Sequence, residues 1–405
     1  MGRMREDIKE KIRDLTESIK DQIIGWRRQI HQYPELSSEE FRTGKFVAEK
    51  LREFGVDHVI QNFGGTTGVV GIIKGKHDIT VALRADMDAL PMEEKTGKPY
   101  SSKVKGVMHS CGHDGHTAML LGAAKVLVQL KENLRGNVKL IFQPCEERQD
   151  CRGARTLIQK GVLKNPDVSV IFGLHLFPEL PSGVFGTKEG HFLASSDVFK
   201  IKIIGKGTHA SRPHKGVDPV LVSAQVINAL HHIVSRKVDP LHPAVLTIGR
   251  INGGFAENII PESVEMEGTV RTLSLDLRDK IPEWIENTVK GISSAYGASY
   301  EFSFKSGNPP VINDKLTTKF VMSMLREFFG YEKVVELEHP TMGGEDFSEY
   351  LMKIPGTFIR LGIRNEKKGI TAPLHSPLFD IDEEVLSKGS SAFVYLAYRW
   401  LEEHS

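Results

Sequence analysis

Residues 108–123 read MHSCGHDGHTAMLLGA. The stretch opens with five side chains that bind soft or borderline metals: His109, Cys111, His113, Asp114 and His116. It runs into an apolar helical segment, AMLLGAAKVLVQL, expected as a helix over Thr117–Leu130. Gly112 and Gly115 release the ligand-bearing part from ordinary helical geometry. A thiolate and an imidazole separated by one glycine can reach one ion or two adjacent ions. A histidine-rich tract can also arise by chance, and a lone cysteine is usually a small buried hydrophobe. A structural zinc knuckle would need paired ligands such as two Cys-x-x-Cys units, and the chain has none. Any metal held here must draw its other ligands from distant sequence, which suits an open catalytic site.

The flanking segments offer such ligands. DITVALRADMDALP (residues 78–91) is a buried-type strand that ends on Asp86 and Asp88. NVKLIFQ (137–143) is a second, delivering PCEE with Glu146 and Glu147. A third, Val168–Leu174, delivers His175. In open α/β sheets the ligand crevice lies at the carboxyl ends of the strands. A pair of glutamates on a loop is by default a solvated pair. Its position directly after an apolar strand weakens that default.

Further out, residues 5–32 carry Ile8, Ile12, Leu15, Ile19, Ile23, Trp26 and Ile30 at steps of three and four, predicting one amphipathic helix. Ser37 or Ser38 is the expected N-cap of a second helix running to Phe54. From about Ser196 the texture changes. A strand at 198–204, a helix opened by Asp218-Pro219, strands at 244–251 and 263–272, a helix at 277–296 and a strand at 299–305 follow in turn. That is the β-α-β-β-α-β order of a ferredoxin-like unit. The expected organisation is an α/β catalytic domain in two parts, 1–195 and 306–405, interrupted by an inserted α+β domain, 196–305. The second part adds two clusters, TMGGEDFSEY (341–350) and TAPLHSPLF (371–379), the latter with His375 between two prolines. Cys111, His113, Glu147 and His175 do not complete two metal sites, and His375 would add a fifth ligand.

Composition bounds the class. The 405 residues favour two or three domains, and 40% hydrophobic with 26% charged residues is ordinary for a globular protein. A net charge of +1 without long Lys/Arg runs argues against a nucleic-acid partner. No stretch approaches the ~20 apolar residues of a membrane span. The charged N-terminus lacks a signal-peptide core, and three cysteines, Cys111, Cys145 and Cys151, suggest a reducing cytoplasm; Cys145 and Cys151 could pair or bind a metal, but free thiols are the expected state.

Nine segments in order carry a resemblance: WRRQIHQYPELSSEEFRT, LRADMDALPMEE, MHSCGHDGHTAMLLGAA, FQPCEE, GLH, GTHASRPHKGVDP, NIIPESVEMEGTVRT, MGGEDFSEY and LHSP. Together the chain resembles the aminoacylase/carboxypeptidase family of dinuclear metallo-amidohydrolases, specifically its N-acyl-amino-acid amidohydrolase, hippurate hydrolase, auxin-conjugate hydrolase and archaeal carboxypeptidase subgroup. The resemblance implies a zinc-peptidase-like catalytic domain, with a central mixed sheet between helices, and an inserted lid and dimerisation domain. It implies two divalent ions, with zinc favoured and cobalt, manganese or nickel open. Their ligands would be Cys111, His113, Glu147, His175 and His375, with the Cys111 thiolate bridging. Glu146 would be general base and then acid, and Asp88 would orient the site. His209 would stabilise the oxyanion, from across a dimer interface, and Asn258 and Arg271 would grip the substrate carboxylate. The implied substrates are N-acyl-L-amino acids or short N-blocked peptides, and the implied assembly is a homodimer through the lid. One departure stands out: the family's PAEE runs through a short glycine-rich turn into Gly-Ala, whereas this chain has PCEERQDCRGA. Two other readings compete. In one, Cys111 is the nucleophile of a metal-free hydrolase. In the other, the chain is a catalytically silent metal-binding scaffold.

Overall fold

The computed structural model describes residues 2–148 and 150–405. The chain divides into two compact units, one of Met1–Gly190, Ile312–Glu338 and Glu349–Ser405, the other of His191–Val311 and His339–Ser348.

The first unit is built on an eight-stranded mixed sheet. Its strands, in spatial order, are His58–Gln61, Val69–Ile73, Gly136–Gln143, His77–Asp86, Val170–Pro181, Gly356–Arg364, Phe185–Thr187 and Val334–Glu336. The central four run parallel. They are rich in Val, Ile, Leu and Phe and almost wholly buried, as a sheet covered on both faces requires. Helix His113–Gln129 lies in the main core with the C-terminal helix Leu386–His404 and the N-terminal helices. Each fully buried Leu, Ile or Phe there contributes about 1.5–3 kcal/mol relative to exposure.

Three local expectations change. The N-terminal periodic stretch forms two helices, Gly2–Ser18 and Lys20–Gln32, broken at Ile19. Both Ile12 and Ile23 stay in the core on either side of the break. The next helix starts at Phe41, not beside Ser37, because Glu35 accepts from the N–H groups of Arg42 and Thr43 and so caps it. That leaves Ser37 to donate to Asp88 at 2.6 Å. The strand expected to end before His175 continues to Pro181, so His175 sits inside it.

In the second unit, strands Ser196–Ile204, Ala244–Gly253, Ser263–Thr272 and Ser299–Asn308 form an antiparallel sheet. Across the sheet the strands follow as the second, third, first and fourth in the chain, the ferredoxin-like arrangement. Helices Pro219–His232 and Leu275–Ala295 share its core, with Phe199, Ile201 and Ile203 on one strand face against Val226, Ile281 and Ile285. Asp218 accepts from Val220 N and Leu221 N with Pro219 at the first position, as the sequence predicts. The helix then widens into a π-turn at Ile233–Lys237 instead of running on as α-helix.

Candidate metal centre

Parallel pairing sets Asp86 opposite Gln143 and Arg84 opposite Gly173. The carboxyl ends of two strands therefore deliver Asp86/Asp88 and Glu146/Glu147 beside His175, which lies within the neighbouring strand. Gly112 is the N-cap of the 113–129 helix, at φ +86°, a conformation that favours glycine. The helix begins four residues earlier than the apolar pattern suggests. His113, Asp114 and His116 thus lie in its first turn, where a buried start needs polar partners.

Three donor groups overlap. Cys111, His113 and His175 have ligand atoms within 4.8 Å of one another, as do Cys111, Glu147 and His375, and as do His113, Glu146 and Glu147. Cys111 Sγ lies 3.5 Å from His175 Nε2, and Glu147 Oε1 lies 3.4 Å from His375 Nε2 and 3.7 Å from His113 Nε2. Two three-donor groups share the one thiol. His375 holds a left-handed backbone at φ +59°, with its N–H on Ser110 O at 2.8 Å.

The supporting contacts fix the tautomers. His113 Nδ1 donates to Asp88 at 3.2 Å, leaving Nε2 for the centre. His175 Nδ1 donates to Leu176 O at 2.7 Å, again leaving Nε2. Asp88 also accepts from Ser37 Oγ and from Glu147 N at 3.0 Å, so one buried carboxylate ties three segments together. Such partners orient imidazole ligands.

The donor set fits divalent cations. His113 Nε2 and Glu147 Oε1 are buried without a hydrogen bond. Burial pushes the Cys111 thiol well above its ordinary pKa, and Glu147, Glu146 and Asp86 push it further. Burial opposes charge on His113, but Asp86, Asp88 and Glu147 outweigh it and raise the imidazole to about 10. The pocket carries an excess of negative charge that a cation would neutralise, and it would hold the thiol as thiolate.

Of the five candidate ligands in the opening stretch, three take other roles. His116 donates from Nδ1 to Asp86 at 2.6 Å and accepts from Leu176 N at 2.8 Å, so both nitrogens are used. Asp114 accepts from Arg27 Nε and His31 Nδ1, each at 2.7 Å. Buried His109 belongs to none of the donor groups, and burial lowers its pKa to about 3. Sequence reasoning missed Ser37, Arg27 and His31. For Arg27 and His31 the signal lay in the WRRQIH segment, where these two interrupt an otherwise apolar helix face; Ser37 reads in sequence as a helix cap.

The free-thiol expectation for Cys145 and Cys151 is overturned. The two form a disulfide with Cα atoms 6.3 Å apart, inside the usual span. Cys145 adopts φ +57° directly after the strand, which turns the chain back and brings Cys151 to it. Cys111 is the one free cysteine.

In the second unit, His209 pairs opposite Ile259, and Asn258 O accepts from Ala210 N at 3.0 Å. Both His209 and Asn258 are exposed and adjacent. Arg271 lies at the other end of the 263–272 strand, half-buried, donating to Thr269 Oγ1 and to Val270 O. Eight residues of strand, about 26 Å, separate Arg271 from Ser263, and His209 lies beyond Ser263.

A model described as peptidase family M20/M25/M40 matches residues 82–399. The chain is 46% identical over 396 residues to thermostable carboxypeptidase 1 of Saccharolobus solfataricus, across 97% of this chain and 99% of that protein. It is 46% identical over 306 residues to an N-acyl-L-amino acid amidohydrolase of Geobacillus stearothermophilus, across 75% of this chain and 81% of that protein. A crystal structure from Bacillus subtilis, described as a dinuclear metal binding peptidase of the M20 family, superposes with a TM-score of 0.82 at 39% identity, covering 95% and 99% of the two chains.

Proposed function

The chain belongs to peptidase family M20/M25/M40 and is a metal-dependent hydrolase of amide bonds; from that premise we propose that it cleaves N-acyl-L-amino acids, and short N-blocked peptides at their carboxyl end. The observation that carries this reading is the pair of three-donor groups sharing Cys111, with Glu146 beside them.

Cys111, His113 and His175 would hold one ion, and Cys111, Glu147 and His375 the other. Bound there, two divalent cations, zinc by donor preference, would polarise the amide carbonyl and acidify water. Glu146 takes a proton from the attacking water and returns it to the leaving nitrogen. Asp88 holds His113 in the tautomer the site needs. Arg271 offers a planar fork to the substrate carboxylate. His209 stabilises the oxyanion, and Asn258 acts beside it. One N-acyl amino acid is far shorter than the 263–272 strand. His209 and Arg271 of one copy would then not both reach it, and in this reading His209 acts from the second copy of a homodimer. No helix among the described residues is long and apolar enough to cross a membrane.

The test is hydrolysis of N-acetyl, N-benzoyl and N-carbobenzoxy amino acids by chelated protein with and without added metal. Loss on chelation and recovery with zinc, cobalt, manganese or nickel is the expected result. Activity indifferent to chelation would return Cys111 to the role of nucleophile. Metal binding with no cleavage of any substrate would leave the scaffold reading.

A further inference from the structure

Asn252 is the one asparagine of the chain that precedes a glycine. Both residues are exposed, and they end the strand Ala244–Gly253, the outermost strand of the second unit's sheet. We propose that Asn252–Gly253 is a self-modifying site: the backbone converts Asn252 into aspartate and isoaspartate, and the conversion loosens the loop that follows. The link from that loop to turnover rests on the functional reading above; the modification does not.

Sheet register leaves the attacking atom free. Gly205 N donates to Glu262 O at 2.8 Å, so these two form a hydrogen-bonded pair in line with the pairing of Ser263 and Ile204. Such pairs alternate along antiparallel strands, so Val264 also turns its N–H and C=O toward the strand Ser196–Ile204. Gly253 lies opposite Val264 and therefore turns its own N–H the other way, to the open edge. Gly254 follows at φ +82°, where even an added Cβ would meet nothing within 4 Å. A strand end that runs into an exposed loop opens at little cost in free energy. Among the described residues nothing holds the Asn252 carboxamide. Every other asparagine precedes a residue with a side chain, which crowds the same attack.

The chemistry needs only water. Gly253 N loses its proton and attacks Asn252 Cγ; the carboxamide Cγ–N bond breaks, and ammonia leaves with that proton. The product is a five-membered imide. Water then opens it at Cγ to give aspartate, or at the main-chain carbonyl to give isoaspartate, whose backbone runs through Cβ and Cγ. Water is consumed, ammonia is released, and nothing is oxidised or reduced.

The surroundings turn this into a structural change. Asn252 lies opposite Glu265, which pairs with Lys202 at 3.1 Å, and Lys202 lies opposite Glu301. A carboxylate at 252 sets three acids around one lysine, and like charges directly opposite one another repel. Isoaspartate also adds a main-chain carbon, which breaks the register with Glu265. Both effects release residues 254–258, the loop that ends on Asn258.

The experiment ages metal-loaded full-length protein at neutral and mildly alkaline pH, beside the Asn252→Gln variant and a synthetic peptide of residues 248–256. Peptide mapping by mass reads exchange of NH2 for OH at each asparagine, and an isoaspartyl methyltransferase reads isoaspartate. Expected is conversion at Asn252 within about tenfold of the free peptide's rate, since the strand end opens readily. It quickens with pH, because the attacking nitrogen must lose its proton, and it leaves the other asparagines behind. Hydrogen exchange over 250–258 speeds up, and turnover of N-acyl amino acids falls in step with the converted fraction. Asn252→Gln, whose imide would need a six-membered ring, keeps its exchange and its turnover. An intact Asn252 in the protein beside a converting peptide would overturn the proposal, and pairing of two copies along this edge would be one cause. Conversion with unchanged exchange over 250–258 would overturn the loosening. If fresh protein cleaves no N-acyl amino acid, the functional reading fails, and the mass and exchange measurements still decide the modification.

Discussion

Glu146 and Glu147 are neighbours with opposite expected losses. Glu147 groups with Cys111 and His375, whereas Glu146 groups with His113 and Glu147 but with neither donor set that shares the thiol. Glu146→Gln keeps size and hydrogen bonding but cannot take a proton, so kcat is expected to fall by at least about 10² with both metals still bound. Kinetics together with metal analysis on the same sample checks this, and loss of metal would move Glu146 among the ligands. Asp88→Ala removes the acceptor for His113, Ser37 and Glu147 N at once. Metal affinity is expected to drop roughly 10–100-fold, read by competition with a chelating dye. The residue types of this site were legible because metal donors and acid–base groups are chemically few. Their sorting was not: His113 and His116 look alike in sequence, and only the positions of Asp86 and Leu176 N show that His116 is fully bonded.

The helix Lys20–Gln32 is tied to two ligand-bearing segments by one guanidinium. Fully buried Arg27 reaches Asp114 at 2.7 Å, Asp380 at 3.1 Å and Glu383 at 3.2 Å. Burial opposes its charge, and Asp114, Asp380 and Glu383 more than offset that. Asp114 adjoins His113, and Asp380 follows His375 by five residues. Arg27→Met strands these carboxylates and is expected to cost about 3–5 kcal/mol in urea unfolding. Half-exposed Arg28, paired with the same Glu383, sets the contrast: Arg28→Ala is expected to cost about 0–1 kcal/mol. Equal losses from the two variants would sink the clamp. The amphipathic period of this helix was readable from sequence, but a period says which face is buried and not what charge that face meets. The same limit explains the second helix, where two serines offered plausible caps and Glu35, seven and eight residues before the N–H groups it caps, took the role.

The ferredoxin-like sheet separates His209 from Arg271 by its full length, and this makes the proposal of a site shared between two copies testable. Glu146→Gln and His209→Ala protein are each expected to be nearly inactive. Unfolded and refolded together, they would form mixed dimers in which one site has both an intact Glu146 and the partner's intact histidine. Random mixing should restore about a quarter of the wild-type sites. No recovery, with mixed dimers demonstrated by mass, would return His209 to the chain that binds the metals. The order of strands and helices in this unit followed from periodicity and turn residues. The distance between its two ends did not, because it depends on register.

The sequence by itself determined the family, the order of elements, the interruption of one unit by another and the small set of side chains able to hold metal. Those follow from local periodicity, turn chemistry and donor type, all written along the chain. Tertiary structure alone decided which of five candidate ligands in residues 109–116 face the centre and which carboxylate holds which imidazole. It also decided that Cys145 and Cys151 meet and that His209 and Arg271 do not. Each of these depends on distances between segments far apart in sequence, set by strand register and by a few buried charges that must find partners.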